Sequence, residues 1–436
     1  MNSTAPVLPL ELLYLIINAI DTSSSNGRQS LSACSYTNRS FTTLCQERFF
    51  RDVEISCICL IETDHTLNFA DSEQTTSHKL LTLLAASPHI GSYIQNLTVI
   101  VSSPRPRSSG EHSNTSESPF SLYTIIPQLP HLMGFLMPAD GLLNWANLED
   151  RMRDVLLSVV QRVTKLDLNM LTYVPVSIFS GCSKLQELRI SLLLINRTEM
   201  ASFPMGDVQL QSLEVGVNLR RPRSHALWFK QPSSPINLSQ LRRLILSDRW
   251  STVIDEIREI LALCSNTFEE LDFWVDQNST YQPPYPKQPL DLGSFTNLRY
   301  LTIRSYTRPY LRPSRGQEND ISYITATLKS LPFLLLHHKQ VQLDVVVYID
   351  HLPNFDTEVA LLPWSDFIDL LDDDSISCYF AHVRLSIMRV LQTTSPALPT
   401  DASFEMLTNI LDKNKGLKKL RTKGILTYGT FEYFLP

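Results

Sequence analysis

The chain has 436 residues, which is enough for two or three hydrophobic cores, because domains usually contain roughly 100 to 200 residues. Its residues are 43% hydrophobic and 19% charged, and this composition excludes a chain that is disordered as a whole. The 38 Lys and Arg residues are outnumbered by 44 Asp and Glu residues, which weighs against a nucleic-acid partner, since phosphate backbones are bound by cations.

Residues 8–20 form the first predicted element, a helix. Pro9 suits the first helical turn, where its missing N–H is not needed, and Glu11 favours the positive end of the helix dipole. Apolar residues occur nearly all the way round this helix, a pattern typical of a helix that is covered on every side. They are Leu10, Leu12, Leu13, Leu15, Ile16, Ile17 and Ile20. The pattern therefore indicates that the helix needs to be covered.

Two shorter helices are predicted over 31–36 and 41–50, after a turn at 23–27 that contains three serines, an asparagine and a glycine. Three short helices make a small core, since a module of fewer than about 60 residues buries only a modest fraction of its surface. Part of the first helix is thus expected to remain outside the core. Exposed apolar surface of this kind is typical of a protein interface.

The amino-acid sequence of this N-terminal segment resembles that of the F-box. The matching stretches are Leu8-Pro9-Leu10-Glu11-Leu12-Leu13, Ile16-Ile17, the segment from Leu31 to Phe41 with Cys34 and Arg39, and Phe49-Phe50 followed by Val53 and Ile55. In particular, the segment is similar to the F-box-like family of large fungal proteins whose remaining length is leucine-rich. One departure is Phe41, where that family usually has tryptophan; phenylalanine keeps the apolar body and loses the indole N–H.

The resemblance implies that residues 1–55 form a three-helix F-box-like module. Such a module binds a Skp-type adaptor, which links it to a cullin and a ubiquitin-conjugating enzyme. The residues that the resemblance implies in adaptor binding are Leu8, Pro9, Leu12, Leu15 and Ile16. The alternative is that the same apolar residues pack against the following domain of this chain.

A repeat of irregular length follows. Each copy consists of an apolar residue, two spacer residues, a second apolar residue, one spacer residue and a third apolar residue. Its clearest copies have middle leucines at Leu166, Leu188, Leu213, Leu244, Leu271 and Leu301, and weaker copies surround Leu97, Leu343 and Leu385. The six clear copies are 22 to 31 residues apart, at and slightly above the leucine-rich-repeat period of roughly 20 to 29. Alternate residues of a strand point to opposite faces, so the leucines are expected to point inward.

The predicted fold class is therefore α/β: the N-terminal module followed, over residues 56–436, by an irregular leucine-rich-repeat solenoid with a curved parallel sheet. Return helices such as 253–263 fit between its strands. The alternative is ordinary α/β layering without repeats. The segment 102–121 is rich in Ser, Pro, Arg and Glu and has few apolar residues, so it is predicted to be a disordered loop.

The residues between the buried leucines are expected to line one face of the sheet, where a protein target would bind. They include aromatic residues and arginines, which are enriched at interface hot spots. The candidates for target binding are Arg189, Arg243, Asp272, Trp274, Tyr300 and Arg304. The alternative for each of them is a plain solvated position.

No catalytic or cofactor-binding motif occurs: GxG, HExxH, GxSxG and CxxC are all missing from the sequence. We therefore expect no catalytic residues, no cofactor and no metal, and Cys57 and Cys59 are predicted to share one face of a strand. Seven scattered cysteines are typical of reduced intracellular thiols. No apolar run reaches the roughly 20 residues that span a bilayer, so no membrane partner is expected. The predicted location is the cytoplasm, the nucleus or both.

Two charged segments near the C-terminus are candidates for binding sites. The basic run 413–423 lacks interleaved aromatic residues, so a solvated terminal repeat is predicted in preference to a nucleic-acid patch. The acidic cluster 372–374 lacks the spacing of a calcium loop and is predicted to be a helix end.

These features together predict a non-catalytic subunit of an SCF-type cullin ubiquitin ligase, in which the F-box holds the adaptor and the solenoid holds an unknown protein target. The alternative is a leucine-rich-repeat interaction scaffold that does not join a ligase. A thiol or serine hydrolase is a third hypothesis, although no spacing in the sequence assembles a nucleophile and a base.

Overall fold

The protein is described from a computed structural model. The described residues are 9–22, 24–37, 39–58, 76–102, 122–138, 143–148, 150–169, 171–190, 193–194, 208–216, 229, 234–246, 254–264, 267–275, 289–307, 320–332, 340–350, 359, 362–391 and 400–434. The chain divides into two compact units, Met1–Asn196 and Arg197–Pro436. The predicted module 1–55 lies within the first unit, and its boundary stays a prediction.

The first unit begins with three helices, as predicted: α1 (Leu10–Ala19), α2 (Ser25–Thr37) and α3 (Arg39–Phe50). The second helix begins earlier than expected, so the prediction of a turn over all of 23–27 is wrong. The Ser24 hydroxyl accepts a hydrogen bond from the Gly27 backbone N–H at 3.1 Å. This bond satisfies one of the free N–H groups of the first turn, which is the role of an N-cap serine.

The three helices share a small core made by Ile17, Leu31 and Cys45. Phe41, which stands where the resembled family usually has tryptophan, is partly buried and packs against this core together with Ile20, Cys34 and Leu44. The apolar body of residue 41 is therefore used in packing.

The remainder of the first unit is α/β. Its further helices are α4 (Thr76–Ala86), α5 (Leu122–Ile125) and α6 (Asp150–Val160). Its strands are β1 (Asp52–Ile58), β2 (Asn96–Ser102), β3 (Gly134–Leu136), β4 (Leu143–Asn144), β5 (Lys165–Leu168), β6 (Leu171–Thr172), β7 (Val174–Pro175), β8 (Glu187–Ile190) and β9 (Leu193–Leu194). Strands β1, β2, β3, β5 and β8 pair in that order, and every pair is parallel. Two separate parallel pairs join β4 to β6 and β7 to β9.

The second unit repeats this architecture with longer strands. Its helices are α7 (Ile254–Leu261), α8 (Asp320–Lys329), α9 (Ser365–Asp372), α10 (Asp374–Ser377), α11 (Thr400–Leu411) and α12 (Lys415–Thr422). Its strands are β10 (Val208–Gln209), β11 (Ser212–Val215), β12 (Ile236–Asn237), β13 (Arg243–Leu246), β14 (Glu270–Val275), β15 (Tyr300–Thr307), β16 (Val341–Asp350), β17 (Phe380–Leu391) and β18 (Leu426–Phe434). Strands β11, β13, β14, β15, β16, β17 and β18 pair in that order, all parallel, and β10 pairs with β12.

The middle residues of the predicted repeat are aligned across neighbouring strands. In the second unit the register pairs Leu213 with Leu244, Leu244 with Leu271, and Leu271 with Leu301. In the first unit Leu166 pairs with Leu188. All of these leucines are buried. The predicted α/β class with parallel strands is thus confirmed, as is a helix within 253–263, where α7 lies.

Two repeat positions differ from the prediction. The register pairs Leu343 with Val383, while Leu385 pairs with Val345, so the middle position of β17 lies two residues before the predicted one. Strand β3 was not predicted, and its Phe135 takes the place of a leucine between Leu97 and Leu166. Both Val383 and Phe135 are buried, which shows that a buried position accepts any apolar side chain of fitting size.

Helices bring additional apolar residues to the cores of both units. Leu156 of α6, Leu328 of α8, Leu371 of α9 and Leu417 of α12 are all fully buried. The helix α8 contacts α9, and α11 and α12 contact β18. Of the predicted disordered loop 102–121, only Ser102, the last residue of β2, belongs to the described residues.

Candidate interaction surfaces

The helix α1 starts at Pro9. The backbone carbonyl of Pro9 accepts hydrogen bonds from the N–H groups of Leu12 and Leu13, each at 3.1 Å. Proline restricts its own backbone to angles that suit a helix start, and it has no N–H that would need a partner. Pro9 is the N-cap, one residue before the first helical position that was predicted for it, and it is exposed.

One side of α1 is buried and the other is open. Leu13 and Ile17 are only 7% and 1% exposed, because they face the core of the three helices. Leu12, Leu15 and Ile16 are 46%, 63% and 49% exposed. These three residues are spaced three and four apart, so they lie next to one another on one face of the helix.

We call this exposed set of Leu12, Leu15 and Ile16 the α1 stripe. It contains three of the five residues that the F-box resemblance implies in adaptor binding. Pro9, three residues before Leu12, adjoins it, and Leu8 lies outside the described residues. The sequence did not indicate that Tyr14, 50% exposed, also belongs to the open side of the helix. As expected, part of α1 remains outside the small core, since two short helices cover only one side of a third.

The outward face of the second unit's sheet is different, because its charged residues pair with each other. Asp344 and Arg384, which are opposite one another on β16 and β17, form an ion pair at 2.9 Å. Arg243 and Glu270, opposite one another on β13 and β14, form another at 3.0 Å. Cross-strand neighbours lie about 4.8 Å apart in a sheet, which suits such pairs.

The first unit shows the same arrangement on its own strands. Asp167 on β5 pairs with Arg189 on β8 at 3.5 Å, and Lys165 pairs with Glu187 at 3.1 Å. Burial raises the pKa of Asp167, while a backbone hydrogen bond and the nearby Arg189 act in the opposite direction. Arg189, a candidate for target binding, therefore forms its ion pair with a buried carboxylate of its own unit.

Arg304 is the most highly connected of the predicted target-binding residues. Its Nε and Nη2 donate to the two carboxylate oxygens of Asp272 at 2.7 and 2.5 Å, and its Nη1 donates to the Tyr348 hydroxyl at 3.3 Å. Its guanidinium carbon lies 5.9 Å from the ring centre of Trp274. The hydrogen bonds that Arg304 donates to Asp272 raise the pKa of Arg304, although burial acts to lower it.

Trp274 and Asp272 alternate with the buried Leu271 and Phe273, so they lie on the predicted face, but neighbouring side chains cover them and the prediction that a target can reach them is wrong. They are only 6% and 7% exposed. The ring of Trp274 stacks on that of Tyr348 with centroids 4.6 Å apart, and Val346 and Met388 pack against the two rings. The two aromatic residues belong to β14 and β16, so they meet across β15.

Tyr300 is the candidate that remains open, with 47% of its side chain exposed. It stands at the start of β15, in register with Glu270 on β14 and Gln342 on β16. Arg243, on the other side of Glu270 in the same row, is also exposed, with 47% of its side chain accessible. Arg243 and Tyr300 are therefore the most accessible members of the predicted target-binding set in the second unit, with Glu270 between them, and their role in binding stays a prediction.

Two of the described cysteines, Cys182 and Cys264, are poorly suited to act as nucleophiles. Cys182 and Cys264 are buried, and burial raises the pKa of their thiols to about 11 and about 12. Since the thiolate is the reactive form, burial disfavours reaction of both thiols at neutral pH. Cys57 lies in β1, whereas Cys59 is outside the described residues. Among the described residues there is no group of three or more metal-ligating side chains that could hold an ion. Within the same residues a bilayer-spanning helix is not found, since none is both long and apolar enough.

The two charged C-terminal segments bind one another. The acidic cluster 372–374 is a helix end, as predicted: α9 ends at Asp372, and the Asp373 carboxylate accepts from the Ser375 N–H at the start of α10. Lys419 and Lys423 of the basic run both donate to Asp372, at 2.5 and 2.7 Å. These hydrogen bonds lower the pKa of Asp372.

The predicted F-box and leucine-rich repeat thus depend on two features of the chain itself. One is the α1 stripe, and the other is the register that aligns buried leucines on parallel strands. The assignment of either feature to a family stays a prediction. Compared with known proteins, the chain matches no protein-family model and no curated protein.

Proposed function

We propose that this chain is the substrate-recognition subunit of an SCF-type cullin ubiquitin ligase. Its N-terminal helices act as an F-box that binds a Skp-type adaptor, and its parallel strands belong to an irregular leucine-rich-repeat solenoid that binds a target protein. The observation that carries this proposal is the α1 stripe, in which three large aliphatic side chains lie about half exposed on one face of a helix.

The energetics of the stripe support a protein partner. Fully burying a Leu or Ile side chain is worth roughly 1.5 to 3 kcal/mol, and a side chain that is already half covered gains about half of that when a partner covers it. The three residues together would therefore contribute a few kcal/mol to association, on the order of what a protein hot spot supplies. Without a partner, three exposed aliphatic residues on the solvent face of a helix do not stabilise the protein.

The target protein is proposed to bind at the outward row of Arg243, Glu270 and Tyr300. Tyrosine and arginine are enriched at interface hot spots, because they combine a large contact area with hydrogen-bonding groups. Tyr300 is accessible, and the paired Arg243 and Glu270 beside it offer charges of both signs. This row is proposed to position the target's lysines for a ubiquitin-conjugating enzyme that other subunits bring, so catalysis is proximity and this chain does no bond chemistry.

The adaptor half of the proposal is tested by affinity purification of the full chain from eukaryotic cells that contain a Skp-type adaptor and a cullin. The wild-type chain is expected to retain both proteins. Leu12→Asp and Ile16→Asp are expected to lose both, because a charge in the buried centre of an interface is not solvated there. The matched control is Tyr36→Asp on α2, which changes an 87% exposed apolar side chain away from the stripe.

The outcome separates the two candidate functions. Retention of adaptor and cullin by wild type and Tyr36→Asp, with loss in both stripe variants, supports the ligase subunit. Failure of the wild-type chain to retain any adaptor contradicts it and leaves the interaction scaffold. Circular dichroism and thermal melting of each purified variant establish that the loss does not come from unfolding.

A further inference from the structure

A cavity of about 370 Å³ lies within the first unit, where α1 and α3 meet the segment that leads into β2. Its size is within the roughly 300 to 1,000 Å³ that is typical of small-molecule sites. Tyr14 and Tyr93 line it with aromatic rings, and Ser92 and Gln95 add hydrogen-bonding groups. Four separate stretches of sequence build this cavity, so no linear motif indicates it.

The charge of the cavity wall is predominantly positive. Arg48, Arg51 and His131 line it, together with one carboxylate, that of Glu47. Neither arginine forms an ion pair with any carboxylate of the described residues, whereas Arg189, Arg243, Arg304 and Arg384 elsewhere in the chain all do. Two unpaired guanidinium groups beside one cavity are an arrangement suited to binding an anion.

The Nε of Arg48 is buried and has no hydrogen-bond partner, as is also true of Arg162 and Arg384. What distinguishes Arg48 from these two is its place in the cavity wall. Its guanidinium group, which has no carboxylate partner there, is therefore available to an anion bound in the cavity.

We propose that this cavity binds the phosphate group of a small organic phosphate, with Arg48 and Arg51 as its ligands. A phosphate has enough oxygen atoms to accept from both guanidinium groups at once, and its double negative charge matches theirs. The cavity has room for more than a phosphate ion, and Glu47 and Gln95 can accept hydrogen bonds from hydroxyl groups of the remaining part. A phosphorylated sugar or polyol combines these features.

The test is calorimetric titration of the full chain with glucose 6-phosphate, and in parallel with inorganic phosphate and with glucose, at constant ionic strength. Both phosphate compounds are expected to bind saturably and glucose is not. Arg48→Gln and Arg51→Gln are expected to weaken binding about tenfold or more, as removal of a charged hydrogen bond does. Arg48→Lys is expected to fall between wild type and Arg48→Gln, since it retains the charge and loses the planar fork.

The matched control is Arg151→Gln, because Arg151 is exposed on α6 and is not part of the cavity wall. Unchanged binding in this variant, with loss in both cavity variants, supports the site; tighter binding of the sugar ester than of inorganic phosphate identifies an ester, and equal binding identifies the phosphate as the recognised part. The proposal is overturned if neither phosphate compound binds saturably up to about 10 mM, or if Arg151→Gln weakens binding as much as Arg51→Gln. The adaptor is not present in this experiment, so its result is independent of the proposed ligase function.

Discussion

The α1 stripe and the outward face of the second unit's sheet differ in how their side chains are satisfied: the stripe leaves apolar side chains exposed, whereas the charged side chains of the sheet pair with one another. Leu12, Leu15 and Ile16 remain about half exposed, because a module of three short helices has too little area to cover its own apolar residues. On the sheet, Asp272 with Arg304 and Asp344 with Arg384 satisfy each other across neighbouring strands. The difference teaches that the α1 stripe leaves apolar surface uncovered, whereas the charges on the sheet are already satisfied within the chain.

The largest effect is expected from shortening an aligned leucine of the sheet. Leu271 is fully buried between Leu244 and Leu301, so Leu271→Ala should lower the free energy of unfolding of the second unit by roughly 2 to 5 kcal/mol. Leu15→Ala removes the same atoms from a side chain that is 63% exposed, and it should change stability by less than about 0.5 kcal/mol. Urea unfolding of both variants measures the difference. Equal destabilisation would contradict the assignment of the α1 stripe as open surface.

An intermediate effect is expected from breaking the buried ion pair on the sheet. Arg304→Met leaves the Asp272 carboxylate, whose side chain is 10% exposed, without its partner, and should cost about 2 kcal/mol. The matched variant Arg243→Met breaks a pair between β13 and β14 whose members are 47% and 34% exposed, and it should cost about 0 to 1 kcal/mol. Urea midpoints at neutral pH compare them. A larger loss in Arg243→Met would show that the outward row, not Arg304, holds the strands together.

The smallest effect is expected at the exposed pairs of the C-terminal helices, and it depends on pH. Hydrogen bonds from Lys419 and Lys423 lower the pKa of Asp372 below 3.8, so this carboxylate contributes stability above that value and loses it as the pH falls through the lowered pKa. Asp372→Asn should therefore be slightly less stable than wild type at pH 7, and the difference should vanish in strong acid.

Asp369→Asn is the control for this pH dependence, because Asp369 is an exposed residue of the same helix that forms no ion pair within the described residues. Urea midpoints of both variants and of wild type, measured across the acid range, give the comparison. A stability difference between Asp372→Asn and wild type that persists unchanged in strong acid would mean that the lysine pairs are not its source.

Much of the strand arrangement could be predicted from the leucine spacing alone. Alternate apolar residues must face one side of a strand, and Leu244, Leu271 and Leu301 are aligned as their spacing indicated. The spacing could not identify β3, because Phe135 replaces the leucine and the strand has three residues. Gly134 of that strand marks a close approach, since a Cβ there would lie 2.2 Å from the Asn96 side-chain oxygen.

Register within a long apolar strand could not be predicted for a related reason. In β17, Val383, Leu385 and Ile387 all alternate on one face, so a slip of two residues leaves the pattern unchanged. Contacts between strands could not be predicted either: Trp274 stacks on Tyr348, which is 74 residues later in the sequence, because β15 pairs with both of their strands. For this reason Trp274, an aromatic residue that was predicted to bind the target, is buried, whereas Tyr300 is exposed.

The interaction surfaces show the same limit. The sequence indicated that α1 is apolar nearly all the way round, and it could not tell which side α2 and α3 would cover. The buried positions Leu13 and Ile17 and the open positions Leu12 and Ile16 are chemically alike, and only packing separates them. The cavity at Arg48 and Arg51 combines residues from distant segments, and unpaired arginines cannot be recognised before the fold places the carboxylates.

Hydrogen–deuterium exchange of the full chain, with and without a purified Skp-type adaptor, tests the central claim most directly. Peptides that cover α1 are expected to exchange more slowly when the adaptor is bound, while peptides of β13 to β15 are expected to exchange at unchanged rates. Introducing Ile16→Asp should remove the protection of α1, and Tyr36→Asp should preserve it. Unchanged exchange in α1 with saturating adaptor, or protection confined to the sheet, would contradict the account.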